Sequence, residues 1–434
     1  MSIKPINIDK ILAQTTTKGH YGKAKNIVGM MIEATGIRAK VGDICNIASI
    51  DDNSSVLAEV VGFRDENVLL MAYNSIKGIG PGSIVESTGH RLTVPVGEAL
   101  IGRTIDVTGR PIDGLGDIET TDEYDVDGEA VNPLDRPRIT EVMQYGVKAI
   151  DGLLSIGKGQ RMGIFAGSGV GKSTLLGMIA KNVKADINVI ALVGERGREV
   201  KEFIEKDLGE EGMRRSVLVI ATSDQPALFR VKCAAVATAI AEYFKDQGKD
   251  VLLMMDSLTR FAMAQREIGL ATGEPPIARG YTPSIYAELP KLLERSGNFK
   301  TGSITGIYTV LVEGDDTNEP ISDTVRGIID GHIVLSREYA SRNHYPAIDV
   351  NASVSRLMND IATPEHKQAA AKIRNLLALY YQNFDLITIG AYKAGLNPRL
   401  DEAVNKIDRI NNFLRQGTNE FCTFDETVEK MKSI

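Results

Sequence analysis

The sequence predicts a multidomain protein: a small N-terminal β-barrel, a central α/β phosphate-loop (P-loop) domain with a mainly parallel sheet, and a C-terminal helical domain. Three observations carry that expectation. Polarity alternates with a period of two from Asn26 to Val94, apolar runs alternate with helical stretches after Ile139, and apolar residues follow helical spacing beyond Asp360. The 434 residues, 43% hydrophobic and 25% charged, suit two or three globular domains and exclude a disordered or disulfide-stapled chain. The charge of 50 − 57 = −7 offers no general attraction to nucleic-acid backbones. Cys45, Cys233 and Cys422 lie singly and read as reduced thiols. No apolar run approaches the ~18 residues of a membrane span, and the N-terminus lacks the apolar core of a signal peptide. The expectation is a cytoplasmic protein that meets the inner membrane only peripherally.

Residues 1–25 read as an N-terminal docking segment, with Ile6, Ile8, Ile11 and Leu12 apolar in a polar surround. Residues 26–94 are the β-barrel. MMIEATGI, DICNIASI, LAEVVGF and NVLLMAY are short runs separated by Gly, Asp and Asn. Residues 95–360 form the P-loop domain, whose first part, Pro95 to about Pro137, is expected to lie over the domain as a connection outside its core. RMGIFA, INVIALV, SVLVIAT, DVLLMM, GIYTVLV and GHIVLS then read as strands, mostly separated by helical stretches such as Ser173–Val183, Ala227–Phe244 and Leu258–Ile268. Apolar runs without alternation imply a parallel sheet covered on both faces. Residues 361–434 are helical: Ile373, Leu376, Leu377 and Tyr380 share one face, as do Leu400, Ala403, Val404, Ile407 and Leu414. Thr423 with Glu426 makes a capping box for a last short helix.

The strongest chemical signal is AGSGVGKST, Ala166 to Thr174, between an apolar strand and a helix. In Gly167, Ser168, Gly169, Val170 and Gly171, backbone N–H groups can close around phosphate oxygens, aided by the positive end of the following helix. Lys172 then reaches the outer phosphates, and the hydroxyl of Ser173, beside Thr174, ligates Mg²⁺. The strict pattern has Gly where Ala166 stands, a small departure because three glycines keep the turn flexible. VLLMMDSLTR ends a later strand on Asp256, placed to hold the water shell of Mg²⁺. Alone, such an Asp equally caps a helix. VGERGRE puts Glu195 at a strand end, where a carboxylate can orient and polarise a water attacking a phosphoanhydride. Glu199 reads equally as a solvated charge.

Together the phosphate loop, the GER segment and DSLTRFAMAQREIGLATGEPP resemble the catalytic subunits of rotary-type hexameric ATPases, the ATP synthase alpha/beta family. RGYTPSIYAELPKLLERSG, GHIVLSR and YPAIDVNASVSR most resemble the flagellum-specific ATPases of type III export. The ATPases of virulence-type secretion are similar. The resemblance is strong from Val94 to Asn397. It implies an ATP/ADP- and Mg²⁺-binding ATPase domain that hydrolyses ATP to drive protein transport. In it Lys172 and Ser173 hold phosphate and metal, and Glu195 activates water beside Arg196. Asp256 supports Mg²⁺ in its second shell, and Arg260 orders the γ-phosphate region. Tyr345 stacks on adenine, and Arg356 reaches into a neighbouring subunit's site. The implied partners are further copies in a homo-oligomeric ring, a hexamer in this family, and a regulatory, stator-like export partner at the N-terminus. The export gate, chaperones and export substrates complete the set.

Glu195 and Arg356 lie on one chain, so identical subunits could complete every interface, which favours a homo-oligomer. A virulence-system ATPase and a rotary ATP synthase subunit remain alternatives. RNA translocation would need base-stacking aromatics, and the barrel offers Phe63 and Tyr73 among many acids, so no nucleic-acid partner is expected. A non-catalytic nucleotide-binding scaffold would have little use for both Lys172 and Glu195. The five histidines show no metal-ligand spacing, Asp315 and Asp316 read as a charged loop, and Cys233 reads as a small buried residue.

Overall fold

The computed structural model describes residues 19–129, 131–312 and 319–434. Ile6, Ile8, Ile11, Leu12, Asp315 and Asp316 lie outside those residues. The chain divides into two compact units. One is built on the chain up to Leu92 and includes Pro226–Phe229 and Ile268–Glu274, and the other takes the remainder.

In the first unit, strands β1 (His20–Val28), β2 (Met31–Thr35), β3 (Asp43–Ala48), β4 (Ser55–Arg64), β5 (Asn67–Ala72) and β6 (Ile84–Arg91) close a barrel in the order β1-β2-β5-β4-β3-β6. Ile32, Ile47, Val60, Leu70 and Val85 fill it. Each strand sends alternate side chains inward, which is the periodicity read in the sequence. β1 starts earlier than Asn26, because in HYGKAKNIV only Ala24 is buried and the strand has no apolar alternation to read. Tyr73 is buried and donates to Glu59 at 2.5 Å, which takes it off any base-stacking surface.

The second unit opens with β7 (Thr93–Val96), β8 (Thr104–Ile105) and β9 (Asp122–Asp125), followed by β10 (Val142–Met143) and β11 (Ile156–Gly157). Then come β12 (Arg161–Ala166), β13 (Ile187–Glu195), β14 (Ser216–Thr222), β15 (Asp250–Asp256), β16 (Gly297–Asn298), β17 (Ser303–Leu311), β18 (Gly331–Leu335) and β19 (Ile348–Ser355). The main sheet runs β19-β18-β12-β17-β15-β13-β14-β8, with β16 paired beside β17. All its neighbours along that path are parallel except β18 and β19. Every residue of β13 is buried, as expected of a strand covered on both faces.

The passage after Pro95 corrects the expectation that it stays outside the core. Its Thr104–Ile105 joins β14 as an edge strand, and Leu100, Ile105, Val107 and Val126 are fully buried. A two-residue strand among Gly, Pro and Asp carries no period to detect.

The C-terminal helices Pro364–Gln382, Pro398–Leu414 and Phe424–Lys432 do not have a core of their own. Ile373, Leu377, Ile407, Phe413 and Met431 belong to the same apolar cluster as Ile164 and Leu176 of the P-loop region. The last helix opens with the expected capping box of Thr423 and Glu426. Beneath these helices lies the short helix Lys148–Leu153. Its Asp151 carboxylate, fully buried, accepts from the N–H groups of Tyr145 and Gly146 at 2.8 Å each. This fixes the turn that leads into the domain.

Candidate functional site

The site is assembled where three strands of the parallel sheet end. β12 stops at Ala166, a turn follows, and a helix begins at Lys172 and runs to Asn182. Gly169 and Gly171 adopt φ of 77° and 88°, a region that costs a residue with a Cβ about 1–2 kcal/mol. The glycines are therefore conformational requirements of the turn. Val170 points the other way: it is buried in the apolar core and anchors the loop. Ser168 and Gly169 are exposed at the loop's crest.

β15 ends on Asp256 and β13 on Glu195, two strands that are neighbours in the sheet. Their carboxylates converge on the Lys172 ammonium, which donates to Asp256 Oδ1 and stands 3.7 Å from Glu195 Oε1. Asp256 Oδ1 also accepts from Thr309 Oγ1 at 2.7 Å. That hydroxyl comes from β17, the strand between β12 and β15. Glu195 is 7% exposed, and its Oε1 has no hydrogen-bond partner among the described residues. Burial first, and then the Asp256 carboxylate, push its carboxyl up to about 7, against the pull of Lys172 and Arg260. A carboxyl held there is matched to general-base work near neutral pH.

Glu195 is aimed by a feature that sequence reading passed over. The pairing of β13 with β14 slips between Val193 and Glu195, a bulge at Gly194 with φ of 69°. A Cβ on Gly194 would meet Arg260 Cβ at 3.2 Å, so glycine also admits the close approach of the helix Leu258–Thr272. A lone glycine inside an apolar strand is the signal that could have found it.

These groups line one cavity of about 800 Å³ with Gly167, Ser168, Gly169, Gly171, Ser173 and Thr174. Arg260 lines it too, and its Nε has no partner among the described residues. Arg196 lines the cavity but is exposed, paired with Glu199 at 2.8 Å. Phe203, Lys206, Asp207 and Arg337 also line it, and no motif pointed to them. Tyr345 stands just outside that lining. A methyl group on Gly171 would meet its ring at 3.4 Å, and 43% of the residue is exposed. Arg356 is not brought to this cavity. It follows β19, is exposed, and its guanidinium donates to the Arg326 carbonyl at 3.0 Å.

Residues 146–355 match the ATP synthase alpha/beta family, nucleotide-binding domain, and residues 25–89 match the beta-barrel domain of the same family. Residues 362–433 match the T3SS EscN ATPase C-terminal domain. A flagellum-specific ATP synthase of Bacillus subtilis is 55% identical, over 98% of this chain and 97% of its own. The chain belongs to the ATP synthase alpha/beta family, in its flagellar and type III secretion branch. A type 3 secretion system ATPase of Xanthomonas euvesicatoria is 49% identical, over 98% of this chain and 97% of its own. The assembled ATPase EscN of enteropathogenic E. coli superposes with a TM-score of 0.90 at 47% identity, covering 95% of this chain and 99% of that one. As a member of this alpha/beta family, the chain is a nucleotide-binding ATPase. No helix among the described residues is long and apolar enough to cross a membrane.

The Gly194 bulge gives a direct test of how the Glu195 carboxylate is aimed. Gly194→Val places a β-branched side chain at positive φ and against Arg260. ATP turnover should fall at least about tenfold, since even ~1.4 kcal/mol of lost transition-state stabilisation is that large. The thermal unfolding midpoint should drop only a few degrees, by about 2–4 °C per kcal/mol for domains of this size. Turnover within twofold of the parent would show that the bulge does not aim Glu195.

Proposed function

We propose that this chain is the Mg²⁺-dependent ATP hydrolase that energises flagellar protein export, acting as a homo-oligomeric ring with an arginine supplied in trans. The observation that carries the reading is the convergence of Lys172, Glu195 and Asp256 in one cavity while Arg356 on the same chain faces solvent elsewhere. Binding of the triphosphate would draw the Lys172 ammonium from Asp256 towards phosphate oxygens. The donor set suits Mg²⁺, with the Ser173 hydroxyl in the cavity and a strand-end Asp256 opposite it. When bound, the ion neutralises charge on the outer phosphates. Glu195, buried and with an Oε1 that faces Lys172 at 3.7 Å but accepts no hydrogen bond among the described residues, is the group suited to take a proton from the attacking water. Arg260 and Arg196 extend positive charge along the cavity, and Tyr345 offers a face to the base.

Arg356 would complete a neighbour's site. An arginine brought across an interface neutralises charge developing on the transferred phosphoryl group, worth roughly 10³–10⁵ in rate in related systems. The solved relatives include assembled EscN and EscN in complex with its central stalk EscO. By analogy this chain forms a ring, a hexamer in our reading, that engages a stalk-like partner, and the residues that precede β1 dock a regulatory export partner at the cytoplasmic face of the membrane. The export gate, chaperones and substrates would be met there. The 55% identity to a flagellum-specific relative, against 49% to a type 3 secretion system ATPase, favours the flagellar role.

Lys172→Ala and Glu195→Gln should both abolish hydrolysis, and for different reasons. The first loses a phosphate contact and should weaken ATP binding. The second keeps the shape of the side chain but has no carboxylate to accept a proton, so it should bind ATP and remain assembled. Near-normal turnover in Glu195→Gln would end the water-activating assignment.

Mixing Glu195→Gln with Arg356→Ala tests the trans arginine. In a mixed ring some interfaces join an intact Glu195 to a neighbour's intact Arg356, and part of the activity should return. A cis-acting arginine gives no recovery at any ratio, because every chain then carries one broken site.

Deleting residues 1–20 should leave basal ATPase and thermal stability largely intact while weakening capture of the regulatory export partner. An insoluble truncation would place the segment within the fold instead.

A further inference from the structure

The described residues tie the C-terminal helices to the exposed tyrosine beside the phosphate loop through the main chain at Gln416, which a buried side-chain amide holds in place. Gln416 follows the helix Pro398–Leu414 and is only 5% exposed, so its side-chain amide must be satisfied internally. Its Oε1 accepts from the Lys148 N–H at 2.8 Å, and its Nε2 donates to the carbonyls of Gly146 at 2.7 Å and Glu420 at 2.8 Å. Its own backbone N–H donates to the carbonyl of Tyr345 at 2.9 Å. One residue therefore holds three separate pieces of chain: the turn at Gly146 and Lys148, the strap 417–421, and the backbone of Tyr345.

Each of those pieces is itself anchored. The turn is fixed by Asp151, as described above. The strap is clamped twice more, since Lys148 Nζ pairs with Glu420 Oε1 at 3.1 Å and Glu420 Oε2 accepts from the Gly417 N–H at 3.1 Å. The Phe421 ring also closes over Gly146, where an added Cβ would meet it at 2.9 Å. Tyr345, by contrast, is half-exposed, and Gly171 stands against its ring on the side of the loop. The carbonyl of Tyr345 itself is held by the Gln416 N–H, between flanking bonds from His344 N–H to the Tyr339 carbonyl and from Ser336 N–H to the Ala347 carbonyl.

We infer that Gln416 is a positioning residue for nucleotide binding: it fixes the Tyr345 ring over the phosphate loop and so makes affinity for the base depend on the seating of the C-terminal helices. The inference rests on the reading that Tyr345 packs on the base. Gln416 touches no nucleotide and should leave the chemistry at the phosphates alone. Its loss should therefore appear in the base-dependent part of binding.

The test uses the full chain and two variants. Gln416→Ala removes the three side-chain bonds that seat this main chain while its backbone N–H to Tyr345 remains, so it tests whether the side chain sets where that N–H holds Tyr345. Gln416→Glu keeps its size and the acceptor for Lys148 but turns a carboxylate on the carbonyls of Gly146 and Glu420, and it serves where the alanine variant fails to fold. Both should raise KM for ATP about fivefold to tenfold, a change of the size that loss of one aromatic stacking contact produces. kcat should stay within twofold, and the inhibition constant of inorganic tripolyphosphate, which has no base, should not move. An unchanged KM would overturn the inference. So would a parallel rise in the tripolyphosphate constant, the mark of a general loosening of the fold. Tyr345→Ala separates this from the underlying reading. If it leaves KM unchanged, the base-stacking role of Tyr345 fails and the inference with it. If it raises KM while the Gln416 variants do not, the positioning role alone is overturned.

Discussion

The site depends on one electrostatic arrangement: a lysine ammonium held between two buried carboxylates at the ends of neighbouring strands. Lys172 enters from the turn after β12, Asp256 from β15 and Glu195 from β13. Burying three charges is costly unless they satisfy one another. Lys172 alone faces two carboxylates, and Arg260, which lines the same cavity, supplies the second positive charge. Burial above all, and then the Asp256 carboxylate, push the Glu195 carboxyl up against the pull of Lys172 and Arg260. On the proposed reading, an arriving polyphosphate with its counter-cation would change every partner in this site. The parallel sheet makes the arrangement possible, because parallel strands end together on one edge and present their terminal side chains to the same crevice.

The sheet also explains what was legible in the sequence. Strands buried on both faces must be apolar throughout, so RMGIFA, INVIALV, SVLVIAT and DVLLMM announced themselves. A carboxylate that closes such an apolar run is buried against the cost of desolvating its charge, which is why Asp256 and Glu195 stand out as site residues. The helix from Lys172 was equally plain, because the glycine turn before it has few other uses. The strands that went unread are those with little to bury. In β1 only Ala24 is buried, and β8 is two residues long.

The rest of the site was hidden for a different reason. Arg337, Lys206 and Asp207 reach the cavity from elements whose sequences look like ordinary charged helix surface, and only the folded chain brings them to the phosphate loop. Gly194 was visible as a glycine in an apolar strand, but its meaning lies in the register slip against β14, a property of two strands together. Gln416 left no trace, since three of the four bonds it makes are to main-chain carbonyls or N–H groups of residues far from it in sequence, and main-chain partners carry no side-chain signature.

The shared core gives those hidden links a mechanical sense. Had the C-terminal helices a core of their own, they could tilt without disturbing the nucleotide-binding domain. Instead Phe413, Met431 and Ile407 pack in the same cluster as Ile164 and Leu176, and Thr427 and Met431 sit directly over Gly152 in the short helix that holds Asp151. Close-packed interiors transmit small shifts rather than absorb them. A displacement of these helices must therefore be taken up at their margin, where packing gives way to the polar strap from Arg415 to Phe421. That strap ends its hydrogen bonds on Gly146 and Tyr345. Within this unit, the phosphate end of the cavity is built on the rigid sheet and the exposed tyrosine hangs on the strap. The two ends of a bound nucleotide would then report on different parts of the molecule: chemistry on the sheet, and affinity on the pose of the C-terminal helices.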